Sequence, residues 1–151
     1  MHENVLASHW PYEKINYLRF LKKYLRRKKT MPKKYRKQTN PFKIPAQDGK
    51  VIEEHFGVPS TDHKQFSIAH MIAPPGWSEH HQTPEFDEIT IMIKGKKHIE
   101  VDGEAFDITA GETLFVEKGA RVRYSNPHRE PAEYWAVCIP AFTLETVHRE
   151  E

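Results

Sequence analysis

The chain has 151 residues, of which 29% are charged, and a formal net charge of +2. This length suits one domain with a sizeable core, and no apolar run approaches the roughly 20 residues of a membrane span. The one cysteine, Cys138, excludes an intrachain disulfide framework and fits a reducing compartment. No signal peptide is visible, so we expect a soluble, cytoplasmic protein.

The small net charge hides a division of the chain into two parts. Residues 14–37 contain twelve Lys or Arg residues and no Asp or Glu, whereas residues 38–151 contain eleven basic and nineteen acidic residues. Apolar residues recur at helical spacing in the basic part, which predicts a helix over about 12–29. We therefore expect a basic, partly helical N-terminal extension over 1–40 and one domain over 41–151.

Three roles remain open for the basic extension. Its charge suits contact with nucleic acid or an anionic membrane surface through residues 14–37, but no zinc-finger spacing or RNA-binding strand motif accompanies it. It equally suits a solvated helix that packs on the acidic domain or on a neighbouring copy. If Met31 is the natural start, the first thirty residues lie outside the functional unit.

Beyond Asn40, short runs rich in β-branched and aromatic residues alternate with Gly and Pro turn signals. No long helical pattern separates these runs, which favours an antiparallel barrel or sandwich over a βαβ fold. We predict strands over residues 50–55, 66–73, 86–93, 97–101, 105–108, 113–116, 121–125 and 133–140.

Several residues stand at fixed separations within this β-rich part. Six residues separate Glu88 from Gly95, and Gly111, Gly119 and Asn126 follow at the spacing of a second motif. Together they resemble the two sequence motifs of the cupin superfamily. The resemblance covers about residues 66–140 and implies an all-β fold, the jelly-roll-like, double-stranded β-helix barrel of a small single-domain cupin.

The same resemblance implies a metal site that has lost part of its ligand set. In cupins, the two motifs usually supply three histidines and one glutamate to Fe, Mn, Ni or Zn. Here His81 and Glu88 stand at two of these positions, and Thr83 and Val122 stand at the other two. Threonine is a poor ligand and valine cannot coordinate at all, so the implied divalent-metal site is degenerate.

Two further histidines are candidates to complete that site. His80 is adjacent to His81, but neighbouring residues of a strand point to opposite faces, so a turn must bring both inward. His70 shares a strand face with Ile68 and Ile72, which places it in the barrel as a ligand or, alternatively, as an ordinary hydrogen-bonded core histidine.

The pocket also predicts chemistry that needs no metal. Desolvation would raise the pKa of the Glu88 carboxyl, and Tyr124 would donate a proton or orient a substrate oxygen. This pair favours proton transfer on a small oxygenated acid or sugar. We expect the substrate to be contacted by Trp77, Gln82, Thr83, Met92 and Val122.

Two classes of function therefore remain open. The first is an isomerase, lyase or dioxygenase-type enzyme that uses His81, Glu88 and Tyr124, with or without metal. The second is a non-catalytic ligand-binding or regulatory cupin whose basic extension or dimer face contacts a partner. If Glu88 instead pairs with Arg121 or Arg123, it serves only in binding, although strand alternation disfavours that pairing.

Strand alternation also predicts an apolar stripe on the outside of the barrel. If Glu88 and Met92 face inward, then Ile89, Ile91 and Ile93 face outward and need cover. A second copy is the simplest cover, so we expect a homodimer, which the cupin resemblance also implies.

Overall fold

The structure, a computed structural model, describes residues 33–151. The helix predicted over 12–29 lies outside this part of the chain. Residues 38–151 form one unit and residues 33–37 belong to another, so the predicted boundary after residue 40 stays a prediction. Within the described residues, no helix is long and apolar enough to cross a membrane.

The alternation of short strands with Gly and Pro turns produces antiparallel β-structure, as predicted. The strands of the described chain are β1 (Phe42–Lys43), β2 (Val51–Phe56), β3 (Ser67–Ala73), β4 (Asp87–Lys94), β5 (Lys96–Val101), β6 (Glu104–Thr109), β7 (Thr113–Val116), β8 (Val122–Ser125) and β9 (Ala132–Ile139), and a helix, α1 (Val58–Thr61), follows β2. The eight predicted strands correspond to β2 to β9, within one residue at each end. β1 and α1 were not predicted, because elements this short carry no periodic pattern.

The strands form two sheets, and every pairing is antiparallel. One sheet has the order β1-β2-β3-β9-β4-β7 and the other β6-β5-β8. Because β4 belongs to the first sheet and β5 to the second, the chain passes from one sheet to the other at the turn between them. The predicted all-β, jelly-roll-like barrel is confirmed.

Gly95 makes that turn possible. Its φ angle is 76°, and a β-carbon there would lie 2.3 Å from the carbonyl oxygen of Pro131. Any side chain at this position would therefore force the backbone to move. The requirement explains why a glycine stands at the end of the first motif.

Asn126 fixes the loop that follows β8. It is fully buried, and its side-chain amide donates to the carbonyl oxygens of Ala73 at 3.0 Å and Glu130 at 2.9 Å. Its carbonyl oxygen accepts from the backbone N–H of His128 at 3.2 Å. These bonds satisfy backbone groups at the end of β3 and in the β8–β9 loop that would otherwise be buried without partners.

The core lies between the two sheets, on the inward faces of the strands. Met92, Ile99, Val122 and Tyr134 come from four different strands and are each at most 2% exposed. Burial of a side chain of this size stabilises the fold by about 1.5–3 kcal/mol relative to an exposed position.

The opposite side of the six-stranded sheet carries an outer apolar face. Ile91, Ile93, Phe115 and Ile139 are between 39% and 54% exposed, and Ile89 lies directly opposite Phe115 on the neighbouring strand. The predicted outward orientation of the β4 isoleucines is therefore confirmed.

Candidate functional site

The barrel contains a cavity of about 590 Å³. Its wall is formed by inward-facing residues of β2, β3, β4, β5, β8 and β9, together with the loops at residues 44–50 and 77–82. Much of the wall is apolar, with contributions from Ile52, Ala69, Met71, Phe86, Ala136, Cys138 and Phe142. The wall also carries polar side chains, among which Lys50, Glu88, Lys97, Tyr124 and Tyr134 lie close together and form one polar region. A cavity that combines an apolar wall with such a group is typical of a small-molecule site.

Glu88 on β4 is the carboxyl group at the centre of this polar region. It is 9% exposed and lines the cavity. Burial raises the pKa of the Glu88 carboxyl, an effect that Lys97 and Lys50 oppose and Glu79 reinforces. The raised pKa that the sequence led us to expect is therefore present, and it favours the protonated carboxyl over a wider pH range than in an exposed glutamate.

Two tyrosine hydroxyls face the same region. The hydroxyls of Tyr124 and Tyr134 are buried and make no hydrogen bond of good geometry in the described chain, although Tyr124 approaches Glu88 and Tyr134 approaches Lys50. Tyr124 is nonetheless near enough to Glu88 to favour the charged carboxylate. Burial raises the pKa of Tyr124 well above its ordinary value, so the hydroxyl remains protonated and can donate to a ligand.

Lys97 on β5 is a cavity residue that our sequence reasoning missed. It is 1% exposed, and its ammonium lies 3.9 Å from the ring centroids of both Tyr124 and Tyr134. Cation–π contact with two rings stabilises this charge away from water. The sequence did contain an indication of this position, because Lys97 lies two residues before the fully buried Ile99 on the same strand and therefore on the same inward face.

Lys50 brings a second ammonium group to the cavity from the loop before β2. Its Nζ lies 4.0 Å from the ring centroid of Trp77 and 5.7 Å from that of Tyr134. The residue keeps some exposure to water, although its ammonium is surrounded by protein atoms. Burial acts to lower the pKa of Lys50, but Tyr134, Glu79 and Glu88 outweigh it, so the pKa is raised and the group stays charged. No sequence pattern distinguishes this lysine from its exposed neighbours.

Trp77 and Gln82, which we expected to contact substrate, both lie on the cavity wall. The indole N–H of Trp77 donates to the Asp48 carboxylate at 2.6 Å. Gln82 is 3% exposed, and its backbone N–H and C=O exchange hydrogen bonds of 2.9 and 2.8 Å with Val122. These contacts fix the indole of Trp77 and the backbone of Gln82, and the side-chain oxygen of Gln82 accepts a hydrogen bond of 3.5 Å from Arg149.

The other three expected substrate contacts do not lie on the cavity wall. Met92 and Val122 face inward as predicted but pack in the apolar core with Ile99 and Ile108. Inward orientation is therefore not sufficient for access to the cavity. Thr83 pairs through its backbone N–H with the carbonyl oxygen of His148 at 3.2 Å, outside the cavity.

The C-terminal segment, residues 141–151, completes one side of the cavity, which we did not expect. Phe142, Leu144 and Arg149 contribute to the wall. The backbone N–H of Glu150 donates to the carbonyl oxygen of His81 at 2.8 Å and so attaches this segment to the loop at 77–82.

The two adjacent histidines take different positions from those expected. His81 lies outside the cavity, with its Nε2 3.4 Å from a carboxylate oxygen of Glu100, whereas His80 is on the cavity wall. The reason is an irregular pairing. Ser78 pairs with Ser125, and Gln82 pairs with Val122. The segment at 78–82 therefore has one residue more between these two pairs than the facing β8 segment. Gln82 lies on the cavity wall, so its neighbour His81 points away from the cavity, and the motif spacing on which the position of His81 was predicted does not reveal this irregularity.

His70 faces outward, which corrects our expectation that it points into the barrel. Its ring nitrogens lie 3.5 Å from Glu53 and 2.9 Å from Glu133, and its ring contacts Trp135 with a centroid distance of 5.2 Å. The error has a physical cause. The apolar residues that share its strand face belong to the outer side of the sheet, so apolar neighbours did not identify the inward face.

The arginines of β8 and the preceding turn do not pair with Glu88. Arg121 forms hydrogen bonds of 2.6 and 2.7 Å with Glu150, and Arg123 lies 3.2 Å from Glu100. The interpretation of Glu88 as half of an arginine ion pair is therefore not supported.

The residues of the cavity do not fit the divalent metal that the cupin resemblance implies. Within residues 33–151, no group of three or more His, Cys, Asp or Glu side chains is arranged to hold a metal ion. His81 and Glu88 are not brought together, and the ammonium groups of Lys50 and Lys97 lie near Glu88 instead. These two positive charges disfavour a divalent cation at Glu88, although Asp48, Glu54 and Glu79 also line the cavity.

A stretch of this chain has a relative in a larger protein. It is 48% identical over 107 residues to the protein named Endoribonuclease YbeY of Myxococcus xanthus strain DK1622. The match covers 71% of this chain but 36% of the relative, so the chain spans about a third of that protein's length.

Family and structural comparisons agree on the barrel. The family model described as "Cupin domain" matches residues 69–140. An RmlC-like cupin from Shewanella frigidimarina superposes with a TM-score of 0.59 at 14% identity, covering 73% of this chain and 93% of that one. An RmlC-like cupin from Methanocaldococcus jannaschii gives 0.56 at 22% identity, covering 71% and 94%. The chain belongs to the cupin superfamily.

Proposed function

We propose that this cupin domain binds a small oxygenated organic molecule in the barrel cavity and exchanges a proton with it through Glu88. One observation carries the proposal: a buried carboxyl with a raised pKa faces a cavity in which two buried tyrosine hydroxyls, one near Glu88 and one near Lys50, make no well-formed hydrogen bond within the described chain. Such groups remain buried at a cost unless a ligand or water satisfies them.

The roles of the two catalytic candidates follow from their surroundings. Glu88 accepts or returns a proton at a carbon or oxygen of the ligand, because it lines the cavity and its raised pKa makes its carboxylate a stronger base than an exposed one. Tyr124 donates a hydrogen bond to a ligand oxygen and stabilises negative charge that develops there. This assignment favours an isomerase or lyase. The metal-dependent form of the hypothesis would need His81 and Glu88 in one site, and these residues are apart.

A second candidate function is regulation of RNA processing, favoured by the relative whose name includes endoribonuclease activity. In this hypothesis the cavity binds a ligand without turnover, and the basic residues 14–37 contact RNA. An anionic membrane is the competing target of the same charges. The described part of the basic run is exposed and includes Lys33, Lys34, Arg36 and Lys37.

We also propose that a second copy of the chain covers the outer apolar face and that the protein acts in the cytoplasm. The first proposal is supported by the exposed side chains of β4, β7 and β9, which form one contiguous surface. The second is supported by the single cysteine, which is buried and unpaired.

Glu88→Gln should abolish proton exchange while leaving ligand binding in place. Lactate, malate, gluconate, glucose and lactamide are incubated with the protein in D₂O, binding is recorded by NMR, and loss of C–H signals is followed. For a compound that binds and exchanges, the variant should be slower by about a hundredfold or more. Glu104→Gln changes an exposed glutamate on β6 and serves as the matched control. Binding without exchange in the wild type would favour the regulatory candidate.

The same variant should change how stability depends on pH. Glu88 has a pKa raised above 4.5, so its contribution to stability is largest below that value and declines as pH rises towards the raised pKa. Glu88→Gln removes this decline. Its free energy of unfolding relative to wild type should therefore increase across that window, by up to about 1.4 kcal/mol per pH unit, and then level off. Urea unfolding from about pH 4 to pH 8 measures the difference, and a constant difference would contradict the assignment.

Replacing the described basic residues should weaken RNA binding if the regulatory candidate is correct. A variant with Gln at Lys33, Lys34, Arg36 and Lys37 is compared with one that has Gln at the exposed residues Lys94, Lys96 and Lys118. Binding to a single-stranded RNA is measured over a range of salt concentrations. The salt slope should fall by about 0.7 for each RNA phosphate that the first variant no longer neutralises, and the second variant should keep the wild-type slope. Equal slopes in both variants would remove residues 33–37 from the proposed interface.

Ile91→Asp should convert a dimer to a monomer, because it places a charge in the centre of the outer apolar face. Light scattering coupled to gel filtration measures the mass. Ala105→Asp on β6 introduces the same charge at an exposed position of the other sheet and should leave the mass unchanged. A wild-type protein that is monomeric at all concentrations would contradict the proposal.

A further inference from the structure

We propose that Lys50 and Lys97 form an anion site inside the cavity, and that the ligand is a hydroxy acid whose carboxylate these two ammonium groups bind. This inference rests on the proposed function, because it names the class of ligand for the same cavity. It also accounts for the misfit with a divalent metal, since fixed ammonium groups supply positive charge to a ligand oxygen where the usual cupin ligands are missing.

Of the two lysines, Lys97 provides the stronger evidence for an anion site. Aromatic rings contact its ammonium at 3.9 Å on two sides, but a ring face is not a hydrogen-bond acceptor of the usual kind. The ammonium carries three N–H donors, and no carboxylate lies within 4 Å of it in the described chain. A buried charge without an ionic partner is costly, so the position calls for an anion.

Lys50 presents a second ammonium group to the same cavity. Its Nζ lies 4.0 Å from the ring centroid of Trp77, and the indole of Trp77 is held in place by Asp48. No carboxylate of residues 33–151 lies within 4 Å of this nitrogen either. Both ammonium groups approach Tyr134, at 5.7 Å and 3.9 Å from its ring, so they converge on one region.

Other charged groups on the cavity wall have partners of their own. The Glu54 carboxylate accepts hydrogen bonds from the N–H and hydroxyl of Ser60 at 3.1 and 2.7 Å. Asp48 accepts from the Trp77 indole, and Arg149 donates to Gln82 at 3.5 Å. Asp48 also interacts electrostatically with Lys50, but none of these carboxylates lies within 4 Å of either ammonium group in the described chain.

Glu79 and Glu88 determine which kind of acid fits. Both act electrostatically on Lys50 from beyond 4 Å, and one carboxylate oxygen of Glu79 is buried with no hydrogen-bond partner in the described chain. These acceptors suit a ligand hydroxyl, whereas the ammonium groups suit a carboxylate. His80 and Cys138 also line the wall: His80 is exposed, and burial raises the pKa of the Cys138 thiol, which keeps the thiol neutral. A hydroxy acid satisfies both sets of groups at once.

The test compares acids with neutral counterparts of similar shape on the full chain. Lactate is paired with lactamide and gluconate with glucose, and affinities are measured by NMR titration at neutral pH. We expect at least one acid to bind at least about tenfold more tightly than its neutral counterpart. Lys97→Met and Lys50→Met should each reduce the affinity for that acid by about thirtyfold or more. Lys96→Met changes an exposed lysine of the same strand and should leave it unchanged.

Each other outcome has a definite meaning. If Lys97→Met does not fold, Lys50→Met carries the same prediction, because Lys50 lies in a loop. Equal binding of acids and neutral compounds, or unchanged affinity in Lys50→Met, overturns the anion site but leaves the proposed function intact. If no acid or neutral compound binds, including malate, both are overturned. If acids bind through the lysines without proton exchange, the anion site is supported and the catalytic role of Glu88 is contradicted.

Discussion

The arrangement of the site depends on one buried charge, the ammonium of Lys97 held between the rings of Tyr124 and Tyr134. Removal of an ammonium from water is expensive, and two aromatic faces offset only part of that cost. The pKa of Glu88 reflects the same balance, since burial raises it and Lys97 opposes the rise. The cavity is thus an electrostatic unit in which acid, base and hydroxyl groups determine one another's state.

The barrel was predictable because its constraints are local. Alternation and turn residues located the strands, and Gly95 and Asn126 occupy positions where the backbone admits few alternatives. The site was only partly predictable. Glu88 and Tyr124 reach the cavity as expected, but His81 does not, because the pairing of residues 78–82 with β8 is irregular and Gln82 faces the cavity in its place. A count along the sequence cannot detect such an irregularity.

The lysines were missed for a different reason. Strand parity already placed Lys97 beside Ile99 on the inward face, yet a lysine in a strand is usually assigned to the surface. Lys50 enters the cavity from a loop, where no periodic rule applies. Residues that depart from the usual distribution are therefore the ones that most need a functional explanation, and apolar patterns alone overlook them.

The C-terminal segment has a practical consequence. Phe142, Leu144 and Arg149 belong to the cavity wall, and Glu150 is attached to the loop at 77–82 through the carbonyl of His81. A substitution in this segment would therefore alter the cavity wall and its attachment to the loop at 77–82 together. Its effects on ligand affinity and on stability would then be coupled, and a variant here is informative about binding only when its unfolding is measured as well.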